Sequence, residues 1–291
     1  YMELTNPSVI KEILSKNGFS FKKSLGQNFL INPTVCPKMA KSAVADGETA
    51  VLEIGPGIGV LTAELALEAE RVVSIELDER LKPVLEETLA EFDNTEVVFG
   101  DAMKLDLKEL IKEKFGEGDI SVCANLPYYI TSPIIMNLLE SGLPLSSITV
   151  MVQKEAADRI CAEVGSREAG AVSVAVRYYS EPEVLFNVSR GSFMPSPNVD
   201  SAVIRLKVLK QPSVSVEDEK LFFKTVRSAF EQRRKTYVNS VSSGLGISKE
   251  AVKAALTECG LSETVRAEAM SMDELAAVSN RLYEQRKAQK D

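Results

Sequence analysis

Short apolar runs rich in β-branched residues alternate with segments of helical period from Ala50 onward, and this alternation sets the expected architecture. Run 51–54 precedes a helical pattern at 61–69, 72–75 precedes 80–92, and 97–99 precedes 107–114. Runs 121–124 and 148–152 continue the series, with helical spacing at 132–139 between them. Repeated β-α units predict an α/β fold, a Rossmann-like, mostly parallel, doubly wound sheet. Segments 171–179 and 201–208 have no long helix between them and read as an antiparallel pair at the sheet's edge. Ahead of the sheet, Asn6-Pro7 and Asn32-Pro33 each read as an N-cap followed by proline in the first helical turn. They predict two short helices, the first ending near Gly18, while 21–30 is too polar and glycine-broken for a core element and reads as an arm or loop. After Lys210-Gln211-Pro212 the strand signal stops. A capping box, Ser271-Met272-Asp273-Glu274, opens the last helix, and Ser248 and Gly260 bracket another. The expected domains are therefore 1–210, including a helical arm at 1–45, and an α-helical domain at 211–291.

Length and composition add bounds. A chain of 291 residues, 45% of them apolar, can bury one large core and a smaller second one. Its longest apolar stretches, 147–152 and 169–176, fall short of the ~20 residues of a membrane span, and no basic start with an apolar block precedes them. A soluble, cytoplasmic protein without membrane contact is expected. The four cysteines (Cys36, Cys123, Cys161, Cys259) form no CxxC pair and histidine is absent, so no metal site is expected and the thiols read as reduced and partly buried. Without histidine the usual partner of a nucleophile and the usual general base are also missing.

Charge changes the picture further. The net charge is −8, but it is unevenly spread: residues 46–119 hold 20 acids against 7 bases, whereas 220–240 holds six bases and one acid, Glu231. Lys11, Lys16, Lys22 and Lys23 make the N-terminal arm basic as well. Phosphate attraction acts over about 10 Å, so this polarity suits an RNA touching one side of the molecule. A solvated helix face is the plainer explanation of the same charges.

Two motifs carry candidate chemistry. Glu53-Ile54-Gly55-Pro56-Gly57-Ile58-Gly59 follows a strand and opens a helix, so its backbone can approach a ligand closely. A dinucleotide loop has glycine at its sixth position; here that position is Val60 and an acid, Glu53, precedes the loop, which favours S-adenosyl-L-methionine, with Glu53, Gly55, Gly57 and Gly59 as candidate contacts to it. Glu76 closes the next strand, 21 residues after Gly55, where a carboxylate can accept both ribose hydroxyls. Asp101 ends the third strand and either accepts from an adenine amine or caps the next helix.

The second motif is Asn125-Leu126-Pro127-Tyr128 at the end of an apolar run. Adenine N6 is a poor nucleophile because its lone pair is delocalised into the ring. The Asn125 side-chain oxygen and a main-chain carbonyl, that of Leu126, can accept from the two N6 hydrogens and turn the lone pair toward a methyl group. Pro127 holds Leu126 extended, Tyr128 supplies a stacking face for a displaced base, and Phe193 in Phe193-Met194-Pro195-Ser196-Pro197 can close the other face. Attack on a sulfonium methyl neutralises the leaving group, and the ammonium formed loses its proton to water, so no strong base is required.

With these motifs the chain resembles the KsgA (RsmA) family of small-subunit ribosomal RNA adenine dimethyltransferases over nearly its whole length. The segments that carry the resemblance are 24–30, the glycine loop, Glu76, Gly100-Asp101-Ala102, Asn125 to Tyr128, Val152-Gln153-Lys154-Glu155, 193–201 and Arg233-Arg234-Lys235-Thr236. It implies a class I methyltransferase fold. It also implies that Asn28 and Leu30 line the methionine end of the cofactor, with Gly55, Glu76, Asp101, Ala102 and Asn125 completing the site. The implied substrate is a pair of neighbouring adenines in the 3′-terminal hairpin of 16S rRNA, dimethylated at N6 within an immature small subunit. Lys22, Lys23, Arg233, Arg234 and Lys235 become candidate RNA contacts, although Tyr237-Val238-Asn239 departs from the Leu-Arg-Asn common in the family. A monomer is expected. The alternatives are a 23S rRNA adenine methyltransferase of the macrolide-resistance type and a non-catalytic assembly checkpoint factor.

Overall fold

The computed structural model describes residues 2–19 and 28–291. Asn6 caps α1 (Pro7–Lys16) by accepting from the Ser8 amide, as expected. The second expected cap is corrected: α2 is Val35–Ala43 with Thr34 at its N-cap, and Asn32 instead folds an Asx turn by accepting from the Thr34 amide at 3.0 Å. Phe29 and Leu30, expected in a loop, form β1 and pair antiparallel with β8 (Phe193–Met194). Successive strand residues face opposite ways, so Phe29 enters one apolar cluster with Ile10, Leu14 and Leu85, while Leu30 enters another with Val35, Met39 and Phe193.

The alternating units appear as predicted, in the order β2 (Ala50–Ile54), α3 (Val60–Glu68), β3 (Arg71–Glu76), α4 (Lys82–Thr88), β4 (Thr95–Phe99), α5 (Leu107–Phe115), β5 (Ile120–Asn125), α6 (Thr131–Glu140) and β6 (Leu145–Gln153). The sheet order is β4-β3-β2-β5-β6-β9-β7, with β7 at Ser180–Val188 and β9 at Ser201–Val208. The chain runs outward from β2 through β3 to β4, then returns to β5 on the other side, which makes a topological switch point between β2 and β5. Parallel register aligns Ile54 with Ile75 and Ala124, Glu76 with Phe99, and Asn125 with Met151. The glycine loop, Glu76, Asp101 and Asn125 therefore all lie at the carboxyl edge of the sheet.

The edge differs from expectation in one element. β9 pairs antiparallel with β6, but 171–179 is a helix, α8 (Ala171–Tyr179), and the strand is the following β7. Valines at 172, 174 and 176 mimic a strand, yet packing overrides the local preference. Tyr178 sets its ring 5.5 Å from that of Phe222 and 5.0 Å from that of Phe223, and Arg177 donates to the carbonyls of Cys161 and Ala162. Pro182 is tolerated in β7 because that strand is the edge.

The chain divides into two compact units, Tyr1–Ala157 with Pro182–Val208, and Asp158–Glu181 with Leu209–Asp291. The second unit contains the end of α7 (Lys154–Ile160), α8, α9 (Glu219–Glu231), α10 (Tyr237–Leu245), α11 (Lys249–Glu258) and α12 (Met272–Ala288). Segment 158–181, assigned by sequence to the first domain, clusters with the helical residues. Ser248 caps α11, and both halves of the Ser271–Glu274 capping box are formed. No helix among the described residues is long and apolar enough to cross a membrane.

Candidate active site

The glycine loop connects β2 to α3. Gly55, Gly57 and Gly59 all have positive φ (72°, 58° and 96°), a backbone region that side chains with Cβ rarely occupy. A Cβ on Gly59 would stand 2.9 Å from Thr88 Oγ1, whereas one on Gly55 would meet nothing within 4 Å. The loop is thus packed below Gly59 and open at Gly55. Gly59 caps α3 without any side-chain acceptor, so the first amides of that helix are left for solvent or ligand.

Glu76 ends β3 beside this loop and is 6% exposed. Its Oε1 accepts from the Gly57 amide at 3.1 Å and its Oε2 from the Asp78 amide at 2.8 Å. These bonds fix the carboxylate and leave further lone pairs on both oxygens. Burial raises its pKa, with the amide donors acting against that rise. Asp101 follows β4 and accepts from the Met103 amide at 2.9 Å, which folds a local turn; the expected helix cap is corrected, because Asp106 caps α5 by accepting from the Glu109 amide. Ala102 is buried beside it. Leu77 and Met103, 66% and 41% exposed, stand just after Glu76 and Ala102 on neighbouring strand ends. Sequence reasoning missed this apolar pair, whose one signal was an apolar residue close behind each acid.

Glu53 is placed differently from the expectation of a ligand contact. It is 1% exposed, and its Oε1 accepts from Thr62 Oγ1 and, at 2.7 Å, from Ser74 Oγ. It braces the strand and helix beneath the loop. Burial lifts its pKa to about 7, against the pull of the Thr62 and Ser74 hydroxyls. A folded-state pKa above the unfolded value means stability that is complete below the unfolded pKa and lost as pH rises through about 7. Glu53→Gln keeps an acceptor oxygen and carries no charge. It is expected to be more stable than the parent above that pH by about 3 kcal/mol, with little difference near pH 4. Melting temperatures of both proteins across this range check it, and a pH-independent difference would contradict it.

Asn125 is the last residue of β5, half-buried, and its amide makes no hydrogen bond to any described residue. The chain then turns sharply. Leu126 is buried, Pro127 is extended (φ −57°, ψ 138°), and the Pro127 carbonyl is occupied by the Ile130 amide and Thr131 Oγ1. The turn does not use the Leu126 carbonyl. Tyr128 is half-buried, with its hydroxyl 3.2 Å from Ser201 Oγ on β9. That partner lies 73 residues away in sequence, beyond the reach of local patterns.

Asn28 is half-buried just ahead of β1, and Leu30 is enclosed in the cluster with Phe193. Phe193 itself is 5% exposed. The expected open aromatic face is corrected to an enclosed one, because pairing with β1 draws this residue into the apolar cluster, and stacking by its ring requires that cluster to open. Arg233, Arg234 and Lys235 are exposed in the link between α9 and α10. Lys22 and Lys23 lie outside the described residues, as do 24–27 of the motif that continues to Leu30.

The family described as ribosomal RNA adenine dimethylase matches residues 18–284. A protein of Geobacillus sp. (strain WCH70) named ribosomal RNA small subunit methyltransferase A is 48% identical over 284 residues, covering 96% of this chain and 98% of that protein. One of the same name from Bacillus mycoides (strain KBAB4) is 47% identical over 284 residues, covering 96% and 97%. Among solved structures, the 23S rRNA methyltransferase ErmE aligns with a TM-score of 0.68 and 27% identity over 88% of this chain and 100% of its own. A dimethyladenosine transferase from Plasmodium falciparum shares the fold, with a TM-score of 0.69 and 24% identity over 89% of this chain and 98% of that one.

Proposed function

The chain belongs to the ribosomal RNA adenine dimethylase family, and from that premise we propose that it dimethylates N6 of two adjacent adenines in the 3′-terminal hairpin of 16S rRNA within the immature small subunit. It is a methyltransferase of ribosomal RNA adenine. The donor in this reading is S-adenosyl-L-methionine, and the protein acts as a cytoplasmic monomer. One observation carries the assignment of the acceptor site: a half-buried asparagine amide without a hydrogen-bond partner among the described residues, at the carboxyl end of a central strand beside the switch point.

The residues present fit that donor. Gly55 leaves open space where any other residue would carry a Cβ, and the Glu76 carboxylate is fixed by two amides with acceptor capacity to spare. Gly55, Gly57, Gly59, Glu76, Asp101, Ala102, Asn125, Asn28 and Leu30 would hold it, with Glu53 as the brace below. When bound, it supplies an electrophilic methyl carbon on a sulfonium.

The chain's own contribution is to bind and orient the acceptor. Asn125 Oδ1 and the Leu126 carbonyl accept from the two hydrogens of adenine N6, which draws the nitrogen out of conjugation and aims its lone pair. Both acceptors are held before the base arrives, by the end of β5 and by Pro127. Tyr128, anchored through Ser201, supports one face of the base, and Phe193 supports the other once its cluster opens. Stacking of this kind offsets the cost of taking a base out of its helix. The proton released after transfer passes to water, consistent with a chain that has no histidine.

Purified protein offered labelled donor with unmethylated small subunits or naked 23S rRNA is expected to label the subunits. Label confined to 23S rRNA would move the assignment to the macrolide-resistance type. The exposed triplet Arg233, Arg234 and Lys235, together with Lys22 and Lys23, is assigned to RNA phosphates. Reversing Arg233 and Arg234 to Glu is expected to weaken subunit binding about tenfold or more and to reduce the slope of log affinity against log salt by about 1.5. Filter binding across a salt series measures both, and unchanged binding would contradict the assignment.

A further inference from the structure

We infer that the exposed surface of Tyr129, Val199 and Arg190 receives the nucleotide next to the adenine being methylated, an inference that rests on the function proposed above. Tyr129 is the most exposed of the large apolar side chains among the described residues, at 80%. It lies in the same 3-10 turn as Tyr128 (Tyr128–Ile130), yet it takes no part in the contact that anchors Tyr128 to Ser201. Val199, 43% exposed, stands two residues before Ser201. The Tyr128–Ser201 hydrogen bond therefore joins the two segments on which these exposed apolar groups sit.

A cation is held beside Val199. Arg190 Nη1 donates to the Asn198 carbonyl at 3.2 Å, next to Val199, and the Arg190 amide donates to Asp200 Oδ1 at 2.9 Å. Asp200 is the acid in this segment, and one of its oxygens is turned to that main-chain donor. The remaining guanidinium donors of Arg190 have no carboxylate partner among the described residues.

An exposed aromatic face, an apolar neighbour and an arginine fit single-stranded RNA: the ring stacks a base of any identity and the guanidinium meets its phosphate. The requirement follows from the chemistry. A base drawn into the Asn125 site breaks its stacking with the next nucleotide, and a second aromatic residue one position beyond Tyr128 replaces that lost partner. Tyr129 is thus a positioning residue, which holds the strand and not the reacting atoms.

The test uses full-length wild-type, Tyr129→Ala and Tyr129→Phe proteins with unmethylated small subunits. A hairpin RNA carrying 2-aminopurine beside the target adenine adds a second measurement. Tyr129→Ala is expected to raise KM for the subunit about tenfold with kcat within about twofold, and to abolish the quenching of 2-aminopurine seen with wild type. Tyr129→Phe is expected to restore both, and donor affinity is expected to be equal in all three. Wild-type KM and quenching in Tyr129→Ala, with wild-type protein active on subunits, would overturn the inference alone. If wild-type protein labels no adenine in subunits, the proposed function fails and this inference falls with it.

Discussion

Asn125→Ala is expected to lower the rate of methyl transfer about 10²- to 10³-fold while leaving donor affinity and subunit binding within a few-fold of wild type. The substitution removes the acceptor that meets one N6 hydrogen, and a lone pair left in conjugation is both weakly nucleophilic and misdirected. Little else should change. Asn125 ends its strand, its amide has no partner among the described residues, and the neighbouring core is formed by Ala124 and Leu126. The loss should therefore fall on kcat, measured in single turnover with saturating donor. The same variant separates catalysis from an assembly checkpoint, because a protein that binds particles without methylating them retains the second role alone. Full activity in Asn125→Ala would remove the residue from the mechanism.

Glu76→Ala is expected to weaken donor binding by at least about 100-fold, with two losses combined. A carboxylate that accepts charged-group hydrogen bonds is worth roughly 1.5–3 kcal/mol for each bond lost, and the ribose offers two hydroxyls. The amides of Gly57 and Asp78 would also lose the acceptor that pins the glycine loop against β3. Glu76→Gln separates these effects. Its amide oxygen can still serve one backbone donor, so the loop should hold better than in the alanine variant, while acceptance from both hydroxyls is impaired. Calorimetric titration with S-adenosyl-L-methionine measures the affinities, and a Glu76→Ala protein that binds as wild type would contradict the placement of the donor.

The central sheet was legible because each strand is a short, strongly apolar run between helices, and a parallel sheet buried on both faces demands that pattern. The glycine loop, Glu76 and Asn125 were legible for a related reason: in such a sheet, residues that end strands share one edge. What escaped local reading depended on distant partners. The valines of α8 alternate like a strand, and the helix is favoured by contacts outside it, among them those of Tyr178 with Phe222 and Phe223, more than forty residues later. Phe193 looked like an exposed lid until its pairing with Leu30 enclosed it. Glu53 read as a ligand contact because it adjoins the loop, but Thr62 and Ser74 turn its carboxylate inward. Asn28 and Leu30 carried no spacing signal and entered through family resemblance alone. Ser201 meets Tyr128 across 73 residues of sequence, a separation that no local pattern spans.

The most direct test of the account is to digest small-subunit RNA after reaction with isotopically labelled donor and to identify the modified nucleosides and their positions by mass spectrometry. The account predicts N6,N6-dimethyladenosine at two adjacent positions in the 3′-terminal hairpin, and its loss with Asn125→Ala. Methyl groups on a ring nitrogen, on another base, or outside that hairpin would contradict it.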